Sequence, residues 1–204
     1  MSTENEISIK SQVYINGGDL VNANLQRGSE GLINQIVNLP PGNAGVLGTR
    51  TDEDTGEATL AEGHGLQSAD VVDVFWDGGV RYGMTATVDG NDVAIDGGAG
   101  DDLPAAQTAV VVCKQTSIDE DFTGNKVVFS IVMADHGPCH VDFQTAVPAS
   151  KYALSVAAGE KSEWDAESNA PNPFADATID SIKVSNGDPL NTSRLQIAVF
   201  YDSV

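Results

Sequence analysis

Val71-Val-Asp-Val-Phe-Trp76, Asp77-Gly-Gly79, Val80-Arg-Tyr-Gly-Met-Thr-Ala-Thr-Val88, Asp89-Gly-Asn91 and, after Asp92, Val93-Ala-Ile95 follow one another along the chain. β-branched and aromatic residues come in short runs, and each run stops at an Asp-Gly or Asp-Gly-Asn signal of the kind that closes a hairpin. The stretch therefore reads as strand, turn, strand, turn, strand. Upstream, Asp52-Glu-Asp-Thr-Gly56 is a further hairpin turn leading into Ala58-Thr-Leu60, and downstream Thr108 to Cys113 adds a last strand. Five or so strands between residues 46 and 118 are enough to close a small barrel, which removes exposed strand edges.

Working outward, the same grammar holds on both sides. Ile7, Ile9, Val13 and Ile15 fall at period two and predict a first half-buried strand, followed by a turn at Asn16-Gly-Gly-Asp19. Residues 20–39 read either as a helical turn or as a strand, and Pro40-Pro-Gly42 ends them. Beyond the acidic link Asp119-Glu-Asp121 longer strands are expected at Lys126–Met133, Cys139–Thr145, Tyr152–Val156, Ile179–Val184 and Arg194–Tyr201. Lys126–Met133 is apolar on both faces and should lie centrally; Leu195, Ile197, Val199 and Tyr201 mark the inward face of the last strand. Trp164 to Ala177, with Pro171 and Pro173, reads as a loop pinned by Trp164 and Phe174. The expected fold is all-β: a jelly-roll-like β-sandwich from residues 1–45 and 119–204, discontinuous in sequence, with residues 46–118 as an inserted or appended small β-barrel.

Composition bounds the function. The chain has 204 residues, 41% of them apolar, and a net charge of −20, with 10 basic against 30 acidic side chains. A disordered chain of that charge would lack the apolar strands seen here. The charge divides as about −2, −10 and −8 over residues 1–43, 44–118 and 119–204. No segment is basic, so a nucleic-acid partner is not expected, and an anionic membrane surface would be repelled. No apolar run approaches the roughly 20 residues of a membrane-crossing helix. Met1-Ser-Thr-Glu-Asn-Glu6 lacks the basic and apolar start of a signal peptide, which predicts a protein made and used inside a cell or carried out in a particle.

Several clusters invite a chemical reading. His136, Cys139 and His140, with Cys113, carry the residue types of a zinc site, yet they lack the paired knuckle spacing. The favoured reading is a Gly137-Pro138 turn with His136 solvated and Cys139 and His140 on opposite faces of the outgoing strand. The two cysteines could pair or stay reduced and buried, and in a chain without an export signal the buried thiol is favoured. Asp96-Gly-Gly-Ala-Gly-Asp-Asp102 holds a single copy of a calcium-binding half-motif and reads as a glycine-rich loop carrying acids, while Asp52–Gly56 holds only a fragment of EF-hand spacing. No glycine-rich phosphate loop opens a helix. The expectation is no enzyme, no catalytic residue, no metal and no cofactor.

Gly63-His-Gly-Leu-Gln-Ser-Ala-Asp-Val-Val72, followed by Val74-Phe-Trp76, resembles the HGLxxGDxV segment of small β-barrel modules in tailed-bacteriophage virion proteins. In that pattern His64-Gly65 turns the chain, Leu66 plugs the barrel and Asp70 opens the next strand. Ala69 stands where the pattern has Gly, and alanine adopts positive φ poorly. Gly98–Pro104 with the strand Thr108–Val112, and Leu154–Trp164, Pro173-Phe174, Ile182–Asn186 and Arg194–Ile197, look like phage-type and environmental bacterial proteins of similar length; together these cover about three quarters of the chain. The resemblance implies a virion structural protein of the capsid decoration or cement type, assembled in the host cytoplasm, binding the major capsid protein or other virion proteins as a homo-oligomer, with a trimer favoured. It carries over no functional residues. Trp164, Phe174, Trp76 and Tyr82 are the candidate interface residues, because large aromatics outside a core anchor contacts. A tail tube, baseplate or fibre adaptor is the alternative, as is a carbohydrate- or receptor-binding sandwich using the same aromatics.

Overall fold

The computed structural model describes residues 9–13, 21–25, 31–118, 125–135, 139–145, 150–165 and 179–203. All the regular structure in them is strand. In chain order the strands are β1 (Ile9–Val13), β2 (Val21–Leu25), β3 (Gly31–Leu39), β4 (Asn43–Arg50), β5 (Thr55–Leu60), β6 (Val71–Trp76), β7 (Gly79–Asp89), β8 (Asp92–Gly100), β9 (Thr108–Lys114), β10 (Thr116–Ile118), β11 (Asn125–Asp135), β12 (Cys139–Thr145), β13 (Ser150–Val156), β14 (Lys161–Asp165), β15 (Ile179–Ser185) and β16 (Ser193–Ser203).

Strands β4 to β9 close into a barrel in the order β4-β5-β8-β7-β6-β9. Alternation drives the closure: along β5 the even positions Gly56, Ala58 and Leu60 are buried, and along β8 Val93 and Ile95 are, between exposed neighbours. Leu47, Val72, Val74, Met84, Ile95 and Val112 meet inside with no exposed surface. Each such side chain contributes about 1.5–3 kcal/mol relative to its exposed state. The barrel has six strands, which run from Asn43 to Lys114. Asn43 follows directly on the Pro40–Gly42 break and pairs with Val112, while Thr116–Ile118 leaves the barrel to pair with β15.

Two four-stranded sheets, β10-β15-β12-β13 and β14-β11-β16-β3, make up most of the remainder. They share one apolar core, to which Ile118, Val141, Val156 and Ile182 come from the first sheet and Leu39, Trp164, Leu195 and Ile197 from the second. β11 lies centrally between β14 and β16, and Leu195, Ile197 and Val199 point inward, as the pattern predicts. The ambiguous residues 20–39 hold two strands, because β3 finds nine consecutive partners on β16 and tertiary pairing decides between the two readings. Lys161–Asp165 is strand β14, so Trp164 sits in a sheet and not at the head of a loop. β1 and β2 pair only with each other; Ile7, Ile15 and the turn between the two strands lie outside the described residues.

The Gly97–Gly100 segment is the end of β8 rather than a loop. Gly97, Gly98 and Gly100 all take positive φ, and the Gly97 and Gly98 carbonyls face the buried Arg81. Its Nε donates to Gly97 O (2.7 Å), Nη2 to Gly98 O (3.2 Å) and Nη1 to Asp101 O (3.1 Å), with the Asp54 carboxylate 3.7 Å away. A guanidinium thus occupies the oxygen-rich turn where the motif would place a cation.

The HGL segment closes one end of the barrel. Leu66 N–H donates to His64 Nδ1 (3.1 Å) and His64 Nε2 lies 3.1 Å from Gly90 O, which fixes the Nε2–H tautomer and ties the loop to the β7–β8 turn. Leu66 then packs into the barrel core. Ala69 keeps the left-handed turn of the glycine it replaces, at φ 72°, and its N–H donates to Ala86 O at 2.8 Å. An L-residue there costs about 1–2 kcal/mol, of which glycine's greater unfolded-state entropy offsets about 0.4–1. Ala69→Gly is therefore expected to stabilise the protein by ~0.5–1 kcal/mol, read as a higher midpoint in urea or thermal unfolding; a lower midpoint would contradict the strain assigned to Ala69.

Candidate functional site

The best-defined polar constellation lies where the barrel meets the two sheets. Strand β6 reads Val-Val-Asp-Val, and since Val72 and Val74 point into the barrel, Asp73 must point out of it. The ladder with β7 shifts register between Val72 and Val74. Asp73 is nonetheless 1% exposed, because the sheet containing β12 and β15 covers that wall. Its Oδ1 accepts hydrogen bonds from Gly83 N–H (2.8 Å) and Gln115 Nε2 (2.6 Å), and its Oδ2 accepts one from the fully buried Ser185 hydroxyl.

Both chain passages between the units are fixed beside this carboxylate. Gln115 is the single residue joining β9 to β10; its side chain binds Asp73 and its N–H donates to Val71 O at 2.9 Å. The other passage, Pro40–Gly42, is held by the loop after β15. Asn186 Nδ2 donates to Pro40 O (3.1 Å) and Asn191 O (2.8 Å), and Gly42 N–H donates to Asp188 O (2.9 Å). Gly187 of that loop lies against the Phe75 ring so closely that a Cβ there would come within 2.8 Å of it. Cys113 donates its thiol proton to Asn186 O at 2.8 Å.

The first residues of strand β12, Cys139–Val141, are buried. Cys139 faces the core shared by the two sheets, with Sγ 2.9 Å from Ser193 Oγ. His140, its neighbour, faces the barrel, stacked on Tyr82 at 4.9 Å between ring centroids and edge-on to Phe75 at 6.1 Å. Its Nδ1 lies 3.2 Å from Ser155 Oγ, and among the described residues its buried Nε2 meets no partner. Burial lowers the His140 pKa to about 4. Burial and then the Asp73 charge raise the Cys113 thiol well above its ordinary value, and burial raises Cys139 against the opposing bond to Ser193. Both cysteines are free, buried and protonated at neutral pH. Cys139 and His140 point to opposite sides of one strand and so do not form a nucleophile and base.

A cleft of about 320 Å³ opens alongside, lined by Leu39, Pro40, Pro41, Asn43, the His64–Leu66 loop, Cys113, Lys114 and Asn186. Its polar groups are already engaged: Lys114 Nζ is 2.6 Å from Asp70 Oδ1, and Asn43 Nδ2 donates to Val112 O. Partial burial opposes ionisation of Asp70, but the Lys114 ammonium and the Gln67 N–H overcome it and lower the carboxyl below its ordinary value.

Of the expected interface residues, Tyr82 makes a contact within the chain, on His140. Trp76 is half-buried and packs on the barrel core beside Gly79, where a Cβ would come within 2.5 Å of the indole. Trp164 is 8% exposed and belongs to the core of the two sheets, which removes the loop-anchor role drawn from the sequence. Phe174, His136 and the rest of the Trp164–Ala177 segment beyond Asp165 lie outside the described residues. Among those residues no group of three or more His, Cys, Asp and Glu side chains could hold a metal, and no helix is long and apolar enough to cross a membrane. Asp73, Ser185 and the Tyr82–His140 stack are absent from the sequence reading; an acid inside an apolar strand was the available signal for the first. No protein-family profile, curated protein or solved structure matches the chain.

The histidine gives the junction a pH dependence. In the unfolded chain the imidazole takes up a proton near pH 6.5, whereas the folded protein holds it neutral to about 4. Between those values the unfolded state binds more protons, so stability rises with pH and is lost on acidification. By urea unfolding, native protein is expected to lose roughly 2–3 kcal/mol more than His140→Leu between neutral pH and about 4.5; equal losses would contradict a buried neutral His140.

Proposed function

We propose that the chain is a non-enzymatic structural protein of a phage-like virion, a capsid decoration or cement protein whose two four-stranded sheets form a jelly-roll-like sandwich that docks on the shell. The observation that carries this reading is the junction: two passages of three residues and one residue, both hydrogen-bonded, and a buried carboxylate shared between the units. A protein that stabilises a shell has to transmit force between contact points without hinging, and this construction resists hinging. The net charge of −20 keeps free copies dispersed and suits a neutral or basic surface on the major capsid protein or another virion protein, with no nucleic acid or membrane involved. The resemblance of the His64–Asp70 loop to virion barrel modules supports the same reading, and in this chain Leu66 packs into the barrel core. The carbohydrate-binding alternative is weakened because Trp76 and Tyr82 are engaged within the chain.

Quantitative mass spectrometry of purified particles from the source tests the reading by copy number. A ratio near one chain per shell subunit, or a fixed small fraction of it, is expected. A handful of copies would move the protein to the tail tube, baseplate or fibre, and absence from particles would overturn the virion reading.

A further inference from the structure

The closed barrel has no edge strand, but the two four-stranded sheets have four, and they are not alike. Proteins guard such edges with charge, brevity or bulges, because an unguarded edge pairs with another chain. β14 is guarded by charge: Lys161, Glu163 and Asp165 are three of its five residues. β10 is three residues long and runs into Asp119-Glu-Asp121. β13 carries Lys151, at the place where its register with β12 shifts. β3 has none of these devices. It is nine residues long, pairs with β16 in unbroken register, and no described strand occupies its other side. It also lies in a stretch, Gly31 to Thr49, without a single charged residue, in a chain where one residue in five is charged. Ile36 on this strand is 48% exposed.

We infer that β3 is a self-association edge, and that two copies of this chain pair their β3 strands antiparallel across a twofold axis to join two four-stranded sheets into one. The occupant is a second copy for two reasons. First, two chains of charge −20 repel each other over most of their surfaces, and β3 offers the uncharged strip along which they can approach. A partner chosen for opposite charge would be drawn to the acidic faces instead. Second, an antiparallel pairing centred on Gln35 places Ile33 opposite Val37 and Gln35 opposite its own copy, with Asn34 opposite Ile36 and Leu32 opposite Asn38, so that no like charges meet anywhere along the paired edge. The unit formed is twofold, in place of the trimer favoured by the family resemblance. This inference concerns the free protein and stands or falls separately from the virion reading.

Sedimentation of the full chain at tens of micromolar is expected to give twice the 21.3 kDa chain mass, with association strengthening as salt screens the repulsion. The double variant Ile36→Glu, Asn38→Glu places like charges along the edge at two exposed positions and should sediment as a monomer with unchanged near-ultraviolet circular dichroism. In the otherwise native chain, Gln35→Cys should be cross-linked to a covalent dimer by a short bis-maleimide, since directly opposed residues lie about 5 Å apart and Cys113 and Cys139 are buried. A monomer or trimer of the native chain, a dimer that survives the two glutamates, or failure of the Gln35→Cys protein to cross-link while dimeric would each overturn the proposal.

Discussion

A carboxylate buried between two β-structures is the constraint on which this molecule turns. Removing Asp73 from water costs several kcal/mol, and that cost is met only if donors converge on it. Three do, and they come from different parts of the fold: the Gly83 backbone within the barrel, Gln115 in the passage between units, and Ser185 at the end of a sheet strand. If the barrel moved away from the sheets, the charge would lose the Ser185 bond, and His140 and Phe75 would lose their ring contact. The junction therefore has a strong preference for one geometry. A purely apolar contact of the same area would be more permissive, because dispersion and the hydrophobic effect have little directional preference.

The barrel was legible in the sequence because its information is local. Asp77-Gly78, Asp89-Gly90 and Asp52–Gly56 sit where hairpins turn, and the runs between them alternate at period two, so the sequential strands on either side of each turn (β6 and β7, β7 and β8, β4 and β5) are neighbours in the barrel. The junction was not legible for the opposite reason. Asp73 and Ser185 are 112 residues apart, and neither β10 nor β14 is long or apolar enough to declare itself; both are strands because longer strands offer them a ladder. Trp164 shows the same limit. Its proximity to two prolines suggested an exposed loop, whereas five residues paired with β11 carry it into a core. Ala69 is the converse case, in which surrounding hydrogen bonds impose a conformation that the residue itself disfavours.

The candidate site shows how function and architecture share the same residues. Two of the aromatics that the sequence assigns to a partner surface, Trp76 and Tyr82, help to hold the protein together. Three of the four edges of the two four-stranded sheets carry a device that prevents pairing. A rigid body that pairs along β3, as inferred above, would be suited to assembly in a fixed geometry.

The claim that the barrel and the sheets form one mechanical body is tested most directly by differential scanning calorimetry of the full chain at neutral pH, alongside Asp73→Ala. The account predicts a single native transition whose van't Hoff and calorimetric enthalpies agree, and two separate transitions once Asp73 is removed. Two resolved transitions in the native chain, or a single unshifted transition in the variant, would contradict it.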